Sequence, residues 1–251
     1  MKLDMNRAWT EALSLIQANI GVVATVAGVF FFLPYLAFAL LMPEMANFAV
    51  EPNSDDPTAA FDQVMALYAD IWWIMLLLIV AQTVGTLALL ALLRADNRPT
   101  VGQAITVGAI GFLTSIAATI ILYIGVGVIG GVLMGVAIAS KITALAVILG
   151  LLLFVAFIYL MVKFSLLAPV IAIDKVYNPL TALLRSWRLT KGNSVRLFFF
   201  YLMGDEVMLI GSGLINSAVN AVVIVLMLGV LAAVHRQLAG PSAESMGETF
   251  E

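Results

Sequence analysis

The sequence has no cysteine, one histidine and few charged residues, and each of these shortages excludes a class of protein. Without cysteine there is no disulfide, no thiolate metal ligand and no cysteine nucleophile. Charged residues make up 11% of the 251 residues, whereas soluble domains carry about 25%. A net charge of −3 gives no basic face for nucleic acid. These numbers exclude a soluble enzyme, a disordered scaffold and a nucleic-acid-binding protein.

Apolar residues dominate what remains, at 63% of the chain with a mean hydropathy of +1.10. A helix needs about 20 apolar residues to cross the hydrocarbon core of a bilayer. The sequence therefore predicts an all-α, polytopic transmembrane bundle of about six helices. The predicted spans are 20–42, 71–93, 104–125 or longer, 142–165, 197–212 and 214–234. We expect residues 1–238 to form one transmembrane domain and residues 239–251 to form a polar C-terminal tail.

Charge placement tests this count, because lysine and arginine collect on the cytoplasmic side of a membrane. The connection 43–70 contains six acidic residues and no basic one, which predicts an outer location. Arg94 and Arg98 before the third span, and the basic cluster after the fourth, both mark the inner side. An even number of crossings must separate these two inner sites. Every lysine and arginine except Lys141 then lies inside, with both termini predicted to be cytoplasmic.

Three amphipathic segments precede pairs of spans, at residues 6–13, 98–105 and 178–183. When they are aligned on Ala12, Ala104 and Ala182, they fit three repeats of an interfacial helix followed by a transmembrane hairpin. The similarity among the three is weak. It could also arise because helices of any membrane protein begin near the interface.

The segment 183–196 alternates basic residues with Trp and Leu. Helical periodicity puts the cations on one broad face, as expected for a helix that lies among lipid headgroups with its Trp at the boundary. The predicted headgroup contacts are Arg185, Trp187, Arg188, Lys191 and Arg196. The alternative is a topology anchor that recognises no specific lipid.

A family resemblance becomes visible over residues 163–196. Lys163-Phe164-Ser165-Leu166-Leu167-Ala168-Pro169-Val170, then Asp174, then the run from Pro179 to Asn193 with Arg185-Ser186-Trp187-Arg188 inside it, resemble the bacterial glycerophosphoryl diester phosphodiesterase membrane-domain family. The resemblance implies a multi-helix protein of the inner membrane. Some relatives carry a soluble phosphodiesterase domain after the membrane part, and this sequence contains no such domain. Asp174 departs from the glutamate that is more usual there.

Two acids inside the fifth predicted span, Asp205 and Glu206, are the least expected charges. An ionised side chain in mid-bilayer costs at least about 2.5–3.5 kcal/mol and needs a partner, water or protonation. Counted along continuous helices, Lys163 reaches a similar depth and could pair with one of them. Asn216 and Asn220 offer polar neighbours on the sixth span. If the fourth span instead ends at Lys163, this lysine only reaches the interface and the pair does not form.

The third span is rich in glycine. Gly127, Gly131 and Gly135 recur every fourth residue, which predicts a smooth face for close helix packing, within or between protomers. Gly125-x-Gly127-x-x-Gly130 matches a dinucleotide fingerprint only in letters. It lies inside an apolar run, without the strand, the helix start and the acid that such a site requires.

No arrangement in the sequence suggests catalysis or a bound metal or cofactor. His235 stands alone at the end of the last span, where we expect an interfacial residue. We therefore expect a non-enzymatic inner-membrane protein that engages lipids, including anionic ones, or an envelope partner through interfacial helices. The alternatives are a small transporter or proton-coupled channel that uses Asp205 and Glu206, and an accessory or immunity-type subunit that binds another membrane protein. A homo-oligomer is compatible with each.

Overall fold

A computed structural model describes residues 3–41, 57–94, 99–198 and 214–239, and these residues form a bundle of helices. The helices are α1 (Met5–Ala18), α2 (Ile20–Ala27), a π-helical turn (Gly28–Phe32), α3 (Leu33–Leu41), α4 (Pro57–Leu92), α5 (Val101–Ala139), α6 (Thr143–Phe164), α7 (Leu167–Ala172), α8 (Pro179–Leu189) and α9 (Leu214–Ala239). The predicted all-α bundle is confirmed.

The described residues contain five helical stretches long and apolar enough to cross a membrane: Ile20–Phe38, Tyr68–Leu92, Val101–Ala139, Thr143–Ala172 and Ala218–Ala239. Five of the six predicted spans overlap these stretches. The remaining one, 197–212, lies almost wholly outside the described residues. The chain is thus compatible with a multi-pass membrane protein.

The first span is interrupted by the π-helical turn, and a proline explains it. Pro34 has no N–H to donate to the carbonyl four residues earlier, and its ring crowds that carbonyl. The backbone widens just before the proline, where Leu33 N–H donates to the Gly28 carbonyl five residues back.

The second predicted interfacial segment is not a separate helix. Thr100 and Gln103 form a capping box that starts α5, and the helix then continues unbroken for 39 residues. No proline follows Thr100 in this stretch, so nothing in the sequence separates the amphipathic start from the apolar span. The predicted unit of interfacial helix plus hairpin is therefore seen as distinct helices only for α1 and α8.

The buried core lies at one end of the bundle. Its main contributors are Leu87–Leu93 at the end of α4, Leu166–Ala172 around α7, and Val230–Val234 in α9. The outer halves of α5 and α6 instead expose apolar side chains such as Val128, Ile129, Leu151 and Leu152. A soluble protein does not present a continuous apolar surface of this extent, whereas lipid tails cover it without cost.

Close helix packing uses glycines other than those predicted from spacing. A Cβ added to Gly108 would lie 2.5 Å from the Val84 carbonyl oxygen, and one on Gly85 would lie 2.4 Å from Phe30 Cβ. At Gly127, Gly131 and Gly135 a Cβ would meet nothing within 4 Å. Within the described part of the chain these three glycines therefore do not pack helices together. Packing between protomers through them stays a prediction.

Candidate functional site

Helix α8 lies on the core end of the bundle and is defined by strong local signals. Asn178 caps its N-terminus by accepting hydrogen bonds from Leu180 N and Thr181 N, both at 3.1 Å. Pro179 occupies the first helical turn, where the missing N–H costs nothing. Just after the helix, Gly192 adopts a left-handed φ of 85°, which a glycine reaches without a steric penalty.

The side chains of α8 divide into three faces. Ala182, Leu183, Ser186 and the capping Thr190 are buried against the bundle. At about 100° per residue, Leu180, Leu184 and Trp187 lie roughly 100–160° to one side of Ser186 and are exposed. Thr181, Arg185 and Arg188 lie roughly 100–160° to the other side, and they too are exposed. The outer surface of α8 thus has an apolar flank and a polar flank side by side.

The buried face of α8 is fastened to the end of α6. Ser186 Oγ donates to the carbonyl oxygen of Lys163 at 3.0 Å, and Thr190 Oγ1 lies 3.3 Å from the same oxygen, with the carbonyl oxygens of Ser186 and Trp187 nearer to it, at 3.0 and 3.1 Å. This carbonyl is one of the last four of α6, which have no partner inside their own helix. The Ser186 hydroxyl group therefore satisfies this helix end and fixes α8 across it.

The Lys163 side chain is buried beside aromatic rings. Its ammonium nitrogen lies 5.4 Å from the ring centroid of Tyr159 and 5.2 Å from that of Trp187. The Tyr159 and Trp187 rings meet edge to face, with centroids 5.9 Å apart. Cation–π contacts of this kind contribute about 0.5–2 kcal/mol. They orient Trp187 on the surface while leaving 36% of that residue exposed.

The depth predicted for Lys163 assumes one continuous helix from Lys163 to Asp174, and the structure interrupts that helix after Phe164. Helix α6 ends at Phe164, and the short α7 follows after Ser165 and Leu166. A continuous rise from Lys163 to Asp174 therefore does not exist, and the lysine lies next to α8. Asp205, Glu206 and the side chain of Asn216 lie outside the described residues, while Asn220 is half-buried in α9. Pairing of Lys163 with either acid stays untested.

Behind α8, Asp174 joins three elements. Its Oδ2 lies 2.8 Å from Arg185 Nε in α8 and 3.0 Å from His235 Nε2 in α9. The side chains of Asp174 and His235 are 8% and 2% exposed, and that of Arg185 is 46% exposed. An ionised carboxylate only accepts, so Nε2 of His235 is the nitrogen that carries the shared proton. The carboxylate thereby ties the connection before α8 to both helices.

This cluster adds a contact inside the protein to two residues that were predicted to lie at the interface. His235 is a buried side chain, held by Asp174. Arg185 pairs with Asp174 through Nε while its side chain stays 46% exposed, so the predicted headgroup contact of its remaining N–H groups stays a prediction. Sequence reasoning missed the contact because Asp174 and His235 are 61 residues apart, and no local spacing connects them. The one available signal was the presence of a single histidine in so apolar a chain.

The remaining predicted cations have different surroundings. Arg188 and Lys191 are exposed, and neither forms an ion pair with any described residue. Arg196 donates to the carbonyl of Leu3, and Leu3 N donates to Asn193 Oδ1 at 3.0 Å. Arg196 thus holds the N-terminus of the described chain against the turn that follows α8. Arg188 and Lys191 are thus exposed cations that are available to an anion.

Helix α1 lies at the same end of the bundle. It packs along α9 through Ala8, Ala12 and Ile16, and its Glu11 forms an ion pair with Arg236. Two hydrogen bonds join the backbone of Asp4 to the Gln237 side chain. The outer side of α1 exposes Trp9. Helices α1 and α8 thus both present an exposed tryptophan at the end where the core lies.

No protein-family model matches this chain, and neither a curated protein nor a solved structure is significantly similar to it. The resemblance carried by residues 163–196 therefore stays a prediction. What the structure adds is that Lys163, Asp174, Arg185, Ser186 and Trp187 of that stretch lie together, each in contact with another of them or with its backbone.

Proposed function

We propose that this chain is a non-enzymatic, multi-pass protein of the bacterial inner membrane that engages anionic lipid headgroups at the cytoplasmic leaflet. Helix α8 would lie in the headgroup layer, and α1 would lie beside it. The observation that carries the proposal is the division of the outer surface of α8 into an apolar flank and a polar flank that contains Arg185 and Arg188, with Lys191 in the turn that follows the helix. A helix lying in a membrane surface needs both flanks, one toward the acyl chains and one toward phosphates and water.

Arg188 and Lys191 would make the headgroup contacts, with Trp187 at the boundary between headgroups and acyl chains. Each cation near an anionic leaflet contributes about 1 kcal/mol. Two of them would favour anionic over neutral lipid by about 2 kcal/mol, or about thirtyfold. Arg185 would act indirectly, because its bond to Asp174 sets the orientation of α8.

The test is the double variant Arg188→Glu/Lys191→Glu, purified in mild detergent. We expect it to lose most of the anionic lipid that co-purifies with the wild-type protein. The bound lipid is counted by native mass spectrometry. Both residues are exposed and neither contacts Asp174 or His235. The melting temperature without added lipid should therefore change little. The matched control is Lys141→Glu, an exposed lysine at the turn between α5 and α6. Equal lipid retention by the double variant and the unchanged protein would refute the proposal.

A further inference from the structure

A second cationic feature lies away from α8, where α4 ends and α5 begins. Here the structure has an open pocket of about 340 Å³. Arg94, Gln103, Thr106 and Lys175 supply its polar lining, and Val107 and Ala172 supply apolar lining. Ligand pockets have volumes of about 300–1,000 Å³, so this one is large enough for a small anion or a lipid headgroup.

The pocket brings two cations together from distant parts of the chain. Arg94 follows α4, and Lys175 belongs to the connection between α7 and α8. Both also make contacts within the protein. None of the described residues that line the pocket is acidic. Two cations that line one pocket favour a ligand that carries negative charge.

Gln103 adds a hydrogen-bond donor at the same place. Its Oε1 accepts from Thr100 N at 3.0 Å as part of the capping box of α5. The side-chain oxygen is thereby engaged, and the NH₂ group of the same amide is left to donate. A guanidinium, an ammonium and an amide NH₂ are all donors, and together they suit the oxygens of a phosphate group.

The backbone of the 173–178 connection directs neighbouring side chains to different sites. Asp174 binds Arg185 and His235, whereas Lys175 has a left-handed φ of 55° and lines the pocket. Farther along, Thr114 Oγ1 donates to the Tyr177 carbonyl at 2.8 Å and ties this connection to α5. The connection thus presents Lys175 to the pocket with a backbone conformation that residues other than glycine rarely adopt.

We propose that this pocket binds a phosphate group, carried either on a lipid headgroup or on a small soluble molecule. The site is separate from Arg188 and Lys191, so it does not depend on the function proposed for α8. Arg94 and Lys175 bind the phosphate charge, and Gln103 donates to one of its oxygens. Val107 and Ala172 contact the part of the ligand that carries the phosphate.

The experiment uses the full chain with two kinds of probe. In detergent, the soluble probes are inorganic phosphate and glycerol 3-phosphate, with binding measured by calorimetry. In nanodiscs, the lipid probes are phosphatidic acid and diacylglycerol, which differ only in the phosphate, with bound lipid counted by native mass spectrometry. Lys175→Gln is the main variant because Lys175 is exposed, and Arg94→Gln is the second. Lys141→Gln is the control, because Lys141 is another exposed lysine with a left-handed φ, of 59°.

We expect Lys175→Gln to weaken phosphate binding about tenfold, the usual effect of removing one charge-assisted hydrogen bond. Lys141→Gln and Arg188→Glu/Lys191→Glu should retain this binding. If Lys175→Gln loses binding of the soluble probes, the ligand is a soluble phosphate. If it loses binding of phosphatidic acid alone, the ligand is a lipid headgroup. The proposal is overturned if neither soluble probe binds and phosphatidic acid binds no better than diacylglycerol, or if Lys141→Gln weakens binding as much as Lys175→Gln does.

Discussion

Replacing Asp174 with alanine should lower the melting temperature of the detergent-solubilised protein by roughly 2–12 °C, for a chain in which 1 kcal/mol corresponds to about 2–4 °C. The main cause is His235, which is buried and would lose the carboxylate that accepts its N–H. An unsatisfied buried polar group costs about 1–3 kcal/mol. Arg185 adds little, because a half-exposed guanidinium recovers water when its partner is removed.

The matched variant is Arg185→Gln, which removes the other partner of the same carboxylate. It leaves Asp174 bonded to His235, and the lost ion pair is partly exposed. We expect a decrease of only about 1–2 °C, from a loss of about 0.5 kcal/mol. A larger decrease in melting temperature for Arg185→Gln than for Asp174→Ala would show that the buried histidine does not dominate the stability of this cluster. The melting temperature of each variant is measured from the fraction of protein that stays monodisperse after heating.

Gly108→Val should destabilise the bundle by a similar or larger amount. The new Cβ would lie 2.5 Å from the backbone oxygen of Val84. A backbone oxygen inside a helix cannot turn away as a flexible side chain does, so α4 and α5 must move apart. Overpacking of this kind costs about 1–3 kcal/mol and occasionally more. We therefore expect the melting temperature to fall by about 5 °C or more.

Gly131→Val is the control for this substitution. It lies in the same helix α5, and a Cβ there meets nothing within 4 Å. The melting temperature should stay within about 2 °C of that of the unchanged protein, since a valine facing lipid loses no contact. If Gly131→Val were as damaging as Gly108→Val, another molecule would have to cover that face. Such a result would support the predicted packing of Gly127, Gly131 and Gly135 between protomers.

Much of the fold follows from the sequence because the signals are local. Twenty apolar residues specify a span, and Asn178-Pro179 specifies the start of α8. The alternation of Leu, Trp and Arg in residues 183–188 places that helix at a surface. Each of these signals lies within one helix, so the prediction does not depend on what the helix packs against.

The contacts between helices could not be predicted from local sequence. A small residue every fourth position shows a smooth face but not whether a helix lies against it, so the spacing predicts packing at Gly127 and does not indicate Gly108. The depth of Lys163 depended on a helix continuing past Ser165, where the chain instead begins the short α7. Asp174 and His235 meet only because α7, α8 and α9 pack together, and no sequence spacing encodes this packing.

The most direct test of the account asks whether Trp187 lies among anionic headgroups. Trp9, Trp72 and Trp73 are replaced by Phe, so Trp187 is the single fluorophore. The protein is placed in bilayers that contain equal fractions of brominated phosphatidylglycerol or brominated phosphatidylcholine, and quenching is compared. We expect stronger quenching by the anionic lipid, with the excess lost in Arg188→Glu/Lys191→Glu. Equal quenching by the two lipids, or none by either, would contradict an anionic headgroup contact at α8.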